Sequence, residues 1–240
     1  MHSGSLLLVP VLFFGLCQAE EHHAEAKPAA GSHDAAADHA SGGEPVAQGL
    51  DAHGALDRLM QGNQRFVNDL MSKAHKDSDR RSEVAKSQHP IAIVVCCSDS
   101  RVGPEQLFDV GLGDIFVIRV AGNVVDALEL GSIEYAAAHL HVPLVVVVGH
   151  ERCGAVTAAV SGDPAPAHVL AIVEKIQANL AGTAPVAGDA VDQAVRINAK
   201  AVAHQIASCG PLLKDMVTAG TLSVVAGRYD LDDGIVTILP

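Results

Sequence analysis

Ile91-Ala-Ile-Val-Val-Cys96 and Leu144-Val-Val-Val-Val-Gly149 are two continuous apolar runs that decide the fold of this chain. Runs of this composition are typical of strands that are buried on both faces of a parallel sheet. A polar string follows each run directly: Cys97-Ser-Asp-Ser-Arg101 follows the first, and His150-Glu-Arg-Cys-Gly154 follows the second. Because parallel sheets place their sites at the carboxyl ends of the strands, we expect the two strings to lie at one edge.

The rest of the folded part alternates between strands and helices. Other apolar runs predict strands at 115–120, 222–226 and 235–239. Apolar residues at helical spacing predict helices at 128–140, 153–160, 166–181 and 189–208, with a short helix at 104–107. This alternation predicts an α/β fold with a mainly parallel central sheet, flanked by helices. We expect four parallel strands plus an antiparallel edge strand, which the turn at Asp230–Gly234 adds.

An N-terminal helical arm precedes the sheet. Apolar residues recur at helical spacing from Ala55 to Met71, and Gln61-Gly-Asn63 lowers the helix propensity without breaking the phase. The apolar face of the arm needs a packing partner, and a partner subunit is one candidate. A polar stretch from Ser72 to Pro90 is predicted to be a loop.

The first 48 residues contain two segments that we place outside the folded domain. Leu6 to Leu16 is apolar but too short to span a bilayer, and the small-x-small pattern that ends at Ala19 predicts a signal peptide at 1–19. A signal peptide predicts export to the bacterial periplasm. As an alternative to cleavage after Ala19, Cys17 could be a lipidation site. Residues 20–48 are rich in Ala, Glu and His, which predicts a disordered linker. Its histidines either scavenge metal weakly or have no specific role.

Residues 49–240 are left as one folded domain, and composition limits what it binds. Nearly half of the 240 residues are hydrophobic, which is enough for one substantial core. The net charge of −12 argues against nucleic acid as a partner, because phosphate binding needs clustered Lys and Arg. Beyond the N-terminal run, the sequence predicts no membrane span.

Cys97, His150 and Cys153 are the candidate metal ligands. Together they offer two thiolates and one imidazole. A catalytic zinc ion takes three protein ligands when its fourth position stays open. His150 and Cys153 are close enough in sequence for one turn of backbone to bring both to the same ion. Buried core cysteines are the alternative. Cys96 and Cys209 remain, and two buried free thiols are favoured over a disulfide.

Asp99 and Arg101 form a second candidate pair in the first string. Their spacing allows a bidentate ion pair, which fixes the orientation of a carboxylate well. The pair either caps a nearby helix or holds Asp99 ionised as the proton acceptor for a zinc-bound water, and the two roles are compatible.

These strings resemble the zinc strings of the β-class carbonic anhydrases. The resemblance covers roughly 50–240 and includes further stretches: Gly62-Asn63 with Arg65-Phe66, Gly113 to Arg119 with Ala121-Gly-Asn123, Ser132 to Tyr135, and Tyr229 to Leu231. It implies one zinc ion per chain on Cys97, His150 and Cys153, with an Asp99–Arg101 dyad. It also implies reversible hydration of CO₂ to bicarbonate and a proton by attack of a zinc-bound hydroxide.

The resemblance also suggests a subtype and a substrate pocket. The gated subtype of the family has a Trp where Val94 stands here, whereas the plant-like, open subtype supplies a Gln, a Phe and a Tyr to the pocket. By offset from the motifs these residues resemble Gln88, Phe116 and Tyr135, which predicts the open form. We expect the Gln88 amide and the Gly154 N–H to contact the substrate. A pocket between two subunits, and hence at least a homodimer, is implied as well.

Three other functions stay open at this point. A zinc hydrolase that acts on a CO₂-like substrate such as CS₂ would use the same ligands. A non-catalytic zinc-storage protein would combine them with the histidine-rich segment. A structural zinc site would need a fourth protein ligand, for which Asp99 is the candidate.

Overall fold

A computed structural model of the chain describes residues 49–182 and 189–240. The predicted signal peptide and linker therefore lie outside the described residues. The strands are β1 (Ala92–Cys96), β2 (Ile115–Arg119), β3 (Leu144–His150), β4 (Ser223–Tyr229) and β5 (Val236–Ile238). The helices are α1 (Ala52–Val67), α2 (Ser78–Val84), α3 (Pro104–Leu107), α4 (Ala127–His139), α5 (Gly154–Ser161), α6 (Val169–Leu180), α7 (Ala190–Ser208) and α8 (Leu212–Thr218), with a 3-10 turn at Ala121–Asn123.

The strands form one sheet in the order β2-β1-β3-β4-β5. β1 runs parallel to both β2 and β3, β3 runs parallel to β4, and β5 is antiparallel to β4 at the edge. The predicted α/β fold with four parallel strands and an antiparallel edge strand is confirmed. Cys96 lies in register with Val148, so Cys97 and His150 leave the sheet at the same carboxyl edge.

Helices cover both faces of the sheet. Alternate residues of β1 and β3 point into two different clusters, as the period of a strand requires. Ile93 and Val145 pack on one face with buried residues of α4 and α7, whereas Val94 and Val146 pack on the other face with α1 and α3. β1 and β3 are buried along their whole length, which explains their continuous apolar sequences.

The N-terminal arm packs on its own chain rather than only on a partner. Leu59 is fully buried in the cluster that contains Val94. A Cβ added to Gly62 would lie 1.8 Å from the Phe108 carbonyl oxygen, so only glycine allows this approach. The buried Asn63 side chain donates to Leu107 and Gly234 carbonyls and accepts from the Val236 N–H. The break in propensity is therefore where the arm docks.

The predicted loop from Ser72 to Pro90 is wrong in one part, because it contains α2. Asp77 caps this helix by accepting from the Arg80 N–H, and the buried Arg80 side chain donates to Asp114. A distant carboxylate thus stabilises a helix that its own polar sequence does not predict. Helix α8 was not predicted either. No helix within 49–182 and 189–240 is both long and apolar enough to cross a bilayer.

Candidate metal centre

The two polar strings meet at the carboxyl edge of the sheet. Cys97 directly follows β1, His150 ends β3, and Cys153 is the residue that precedes α5. Their ligand atoms all lie within 4.8 Å of one another, and all three residues are buried. The structure therefore brings together the three residues that the sequence predicted as ligands.

The Cys97 sulfur lies in an environment that favours a thiolate. Its Sγ accepts from the Asp99 N–H at 3.4 Å and from the Gly122 N–H at 3.3 Å. A hydrogen bond from the Cys153 thiol, together with these N–H groups, lowers the pKa of Cys97. The neighbouring Cys96 points into a different apolar cluster, where burial raises its pKa to about 12. Only one of the two adjacent thiols is thus prepared to bind a cation.

His150 is oriented so that one ring nitrogen is left for a metal. Nδ1 lies 2.9 Å from the Glu151 carbonyl oxygen, which can only accept, so Nδ1 carries the proton. Nε2 is fully buried and has no hydrogen-bond partner among the described residues. An unpartnered buried nitrogen is costly unless something else binds it. Two sulfurs and a lone pair that converge in this way fit a zinc ion, whose ligands are held in this manner by outer hydrogen bonds.

Asp99 lies at the rim of the cluster and is paired with Arg101. Asp99 Oδ1 accepts from Arg101 Nε at 2.9 Å, and Oδ2 accepts from the terminal guanidinium nitrogen at 2.7 Å. This hydrogen bonding holds the pKa of Asp99 well below its usual range, so the carboxylate stays ionised. Asp99 Oδ2 is 3.9 Å from His150 Nε2. The predicted bidentate pair is formed, and the Asp99 carboxylate lies next to the ligand atoms.

A network of charged residues centred on β4 supports the second string. Arg228, on β4, contacts the carboxylates of Glu151, Asp192 and Asp230 at 3.0, 2.6 and 2.6 Å. Glu151 supplies the carbonyl that orients His150. On the outer side, Arg152 forms a bidentate pair with Asp232. Although Glu151, Asp230 and Asp232 lie close together, each is paired with an arginine.

The residues predicted for the substrate pocket form a separate group. Gln88 and Tyr135 line one cleft, and the Tyr135 ring lies 6.5 Å from the Phe116 ring, centroid to centroid. In the described part of the chain, the lining of this cleft includes none of the three ligand residues. Gly154, in contrast, is the first residue of α5 and directly follows Cys153.

Three residues that support the two strings were not predicted from the sequence: Arg119, Arg228 and Asn198. Arg119 donates to the Cys97 and Asp99 carbonyls at 3.1 and 2.7 Å, and its position at the end of β2, next to β1, was a usable signal. Asn198 gave no such signal, and neither did the contacts of Arg228 with Glu151 and Asp192, because these partners are distant in sequence.

Comparison with known proteins supports the same assignment. A family model described as carbonic anhydrase matches residues 92–236. Carbonic anhydrase 2 of Mycobacterium tuberculosis is 37% identical over 180 residues, which are 73% of this chain and 87% of that protein. The carbonic anhydrase of Mycolicibacterium smegmatis is 38% identical over 184 residues, which are 75% of this chain and 89% of that protein.

A solved structure shows the class. The Coccomyxa β-carbonic anhydrase, determined in complex with acetazolamide, aligns with a TM-score of 0.60 and 31% identity, covering 77% of this chain and 86% of that one. The resemblance drawn from the two strings is confirmed. The chain belongs to the β-class carbonic anhydrases, a family of enzymes.

Proposed function

We propose that the protein catalyses the reversible hydration of CO₂ to bicarbonate and a proton, with one zinc ion held by Cys97, His150 and Cys153. The observation that carries this proposal is the convergence of three buried ligand atoms with an unpartnered His150 Nε2. Zinc with three protein ligands supplies Lewis acidity, which lowers the pKa of a water molecule at the open position.

The chain's own residues supply the remaining chemistry. The Asp99 carboxylate is ionised in the resting site because Arg101 is paired with it, and an ionised carboxylate at the rim of the ligand cluster can accept a proton. Because Arg101 holds both carboxylate oxygens, Asp99 is oriented before a substrate arrives. Val124 and Val156 pack around the two cysteines and exclude water from the side that faces the core. Gly154 is an exposed residue beside Cys153, and its N–H is suited to stabilise charge on a substrate oxygen.

Stopped-flow CO₂ hydration by the purified protein, combined with metal analysis, tests the proposal. We expect the wild type to contain zinc and to be active, and Cys97→Ala to lose both properties. A protein that binds zinc without hydration activity would support the storage function instead. Hydrolysis of CS₂ in preference to CO₂ hydration would identify the other enzyme.

We also propose that two subunits share each pocket, in the open form of the site. Its support is that Gln88, Phe116 and Tyr135 form a group apart from their own chain's ligands, with Tyr135 half exposed. Mixing subunits tests this: Gln88→Ala and Cys97→Ala proteins are each impaired, but a mixed dimer would restore one complete pocket. An equilibrated mixture with no gain in activity would place each pocket within a single chain.

Export with cleavage near Ala19 remains a proposal based on the N-terminal sequence pattern. The expected result is a mature N-terminus at Glu20 in a periplasmic fraction, measured by mass spectrometry. An intact N-terminus on cytoplasmic protein would contradict it.

A further inference from the structure

The helix α7 carries a buried amide that the proposed chemistry does not use. Asn198 lies in the middle of this helix and is completely buried. Its Nδ2 donates to the Gly122 carbonyl at 2.8 Å, and its Oδ1 accepts from Asn179 Nδ2, also at 2.8 Å. A buried amide whose nitrogen and oxygen are both hydrogen-bonded at these distances joins its partners specifically and does more than fill space in the core.

Gly122 is the residue that connects this amide to the ligand cluster. Its N–H donates to Cys97 Sγ at 3.3 Å while its carbonyl accepts from Asn198. Gly122 has a φ of 69°, in the left-handed region, and a Cβ there would lie 2.6 Å from Ile176 Cδ1. In this conformation, which glycine adopts readily, the residue presents its N–H to the sulfur and its carbonyl to α7.

We propose that Asn198 is a positioning residue for the metal centre. It holds Gly122 in the conformation that directs the N–H at Cys97 Sγ, and Asn179 holds the Asn198 amide in turn. The chain of contacts runs from α6 through α7 and the 3-10 turn to a ligand sulfur. An N–H donated to a thiolate withdraws electron density from the sulfur, so Asn198 sets both the orientation and the donor strength of Cys97.

The proposal rests on the proposed metal site, and a spectroscopic experiment separates the two. Replacing zinc with Co²⁺ in the purified protein gives a sulfur-to-metal charge-transfer band whose energy reports the electron density on the thiolates. We expect Asn198→Leu, which has a similar volume and no amide, to move this band to longer wavelength. We also expect the dissociation constant for zinc, measured by competition with a chelator, to rise about tenfold, which is the usual cost of losing an outer partner of a ligand.

Val202→Ala is the matched control. Val202 lies one turn further along α7 and is also fully buried, but it belongs to the core on the sheet face and makes no hydrogen bond to Gly122. We expect it to lower the free energy of unfolding and leave the charge-transfer band unchanged. Asn198→Ala, with the best helix-forming residue, decides the question if the leucine variant does not fold.

The outcomes are distinguishable. A band that is unchanged in the Asn198 variants, or that shifts equally in Val202→Ala, overturns the positioning role. A wild-type cobalt protein without a thiolate band overturns the metal site itself. A normal band without CO₂ hydration overturns the proposed reaction and leaves the role of Asn198 intact.

Discussion

The two strand ends that supply the ligands are held in different ways. At the end of β1, neutral N–H groups of Asp99 and Gly122 contact the ligand sulfur itself, and the Asp99–Arg101 pair lies at the open rim. At the end of β3, the hydrogen bond that the described residues give the imidazole is to the Glu151 carbonyl, and the charged network around Arg228 lies on the side away from the metal ligands. The β1 end therefore adjusts the chemistry of Cys97, whereas the β3 end fixes the position of His150. The second ligand of the β3 end, Cys153, is contacted by backbone N–H groups of α5, as Cys97 is by those of its own end.

This difference follows from what each ligand needs. A thiolate has a charge that N–H donors can stabilise directly, whereas a neutral imidazole needs only its proton held on the far nitrogen. The β3 end can therefore contain a charged network without placing a charge on the ligand. We expect substitutions at the β1 end to change mainly the rate, and substitutions behind the β3 end to change mainly the stability.

The largest effect should come from removing a ligand at the β3 end. Cys153→Ala leaves two ligands, so we expect metal content and CO₂ hydration both to fall to background. Because both ends bind one ion, the loss should match that of Cys97→Ala. Metal analysis and stopped-flow assays of the two variants check this, and a Cys153→Ala protein that retains stoichiometric zinc would contradict it.

At the β1 end, Asp99→Ala should separate metal binding from catalysis. Asp99 is at the rim and is not one of the three buried ligands, so zinc is retained while its proton acceptor is lost. We expect the rate to fall about 100-fold, within the usual range for a positioned acid–base group. Full activity with zinc bound would show that the role assigned to Asp99 is wrong.

Behind the β3 end, Arg228→Met should act on stability first. The variant leaves the carboxylates of Glu151, Asp192 and Asp230 without their common cation, and the Arg228 side chain is only 11% exposed. We expect a loss of about 2–3 kcal/mol, measured by urea unfolding at saturating zinc. A fall in rate with unchanged stability would reverse the contrast between the two ends.

The same contrast explains what the sequence could predict. The strands were predictable because β1 and β3 are buried on both faces, and the ligands because their residue types directly follow those strands. The contacts that support these elements were not predictable, because they join residues that are distant in sequence. Examples are the contacts of Asn198 with Gly122, of Arg228 with Glu151, and of Arg80 with Asp114 in support of α2. A single Asn in a helix is the same in sequence whether it faces solvent or a ligand loop.

A smaller effect on rate should come from the Gly154 N–H. Proline is well tolerated at the first position of a helix, and Cys153 before it has an extended conformation (φ −67°, ψ 119°), as a residue before proline requires. Gly154→Pro therefore removes the N–H with little change in backbone. We expect the rate to fall about tenfold, less than for a fully desolvated oxyanion donor.

Gly154→Ala is its control, because it keeps the N–H and its Cβ would meet nothing within 4 Å. Equal rates for the Pro and Ala variants would remove Gly154 from the substrate site.

The smallest effect should come from the outer pair of the β3 end. Arg152 and Asp232 form a bidentate contact, whereas Arg228 contacts three carboxylates. The Arg152 and Asp232 side chains are also 50% and 72% exposed. Solvent and salt screen such a pair, so Arg152→Met should cost less than about 1 kcal/mol and the cost should shrink further at high salt. Urea unfolding of Arg152→Met and Arg228→Met at two salt concentrations compares the pairs directly. Equal losses in the free energy of unfolding for the two variants would show that burial does not make the Arg228 network stronger than the exposed Arg152–Asp232 pair.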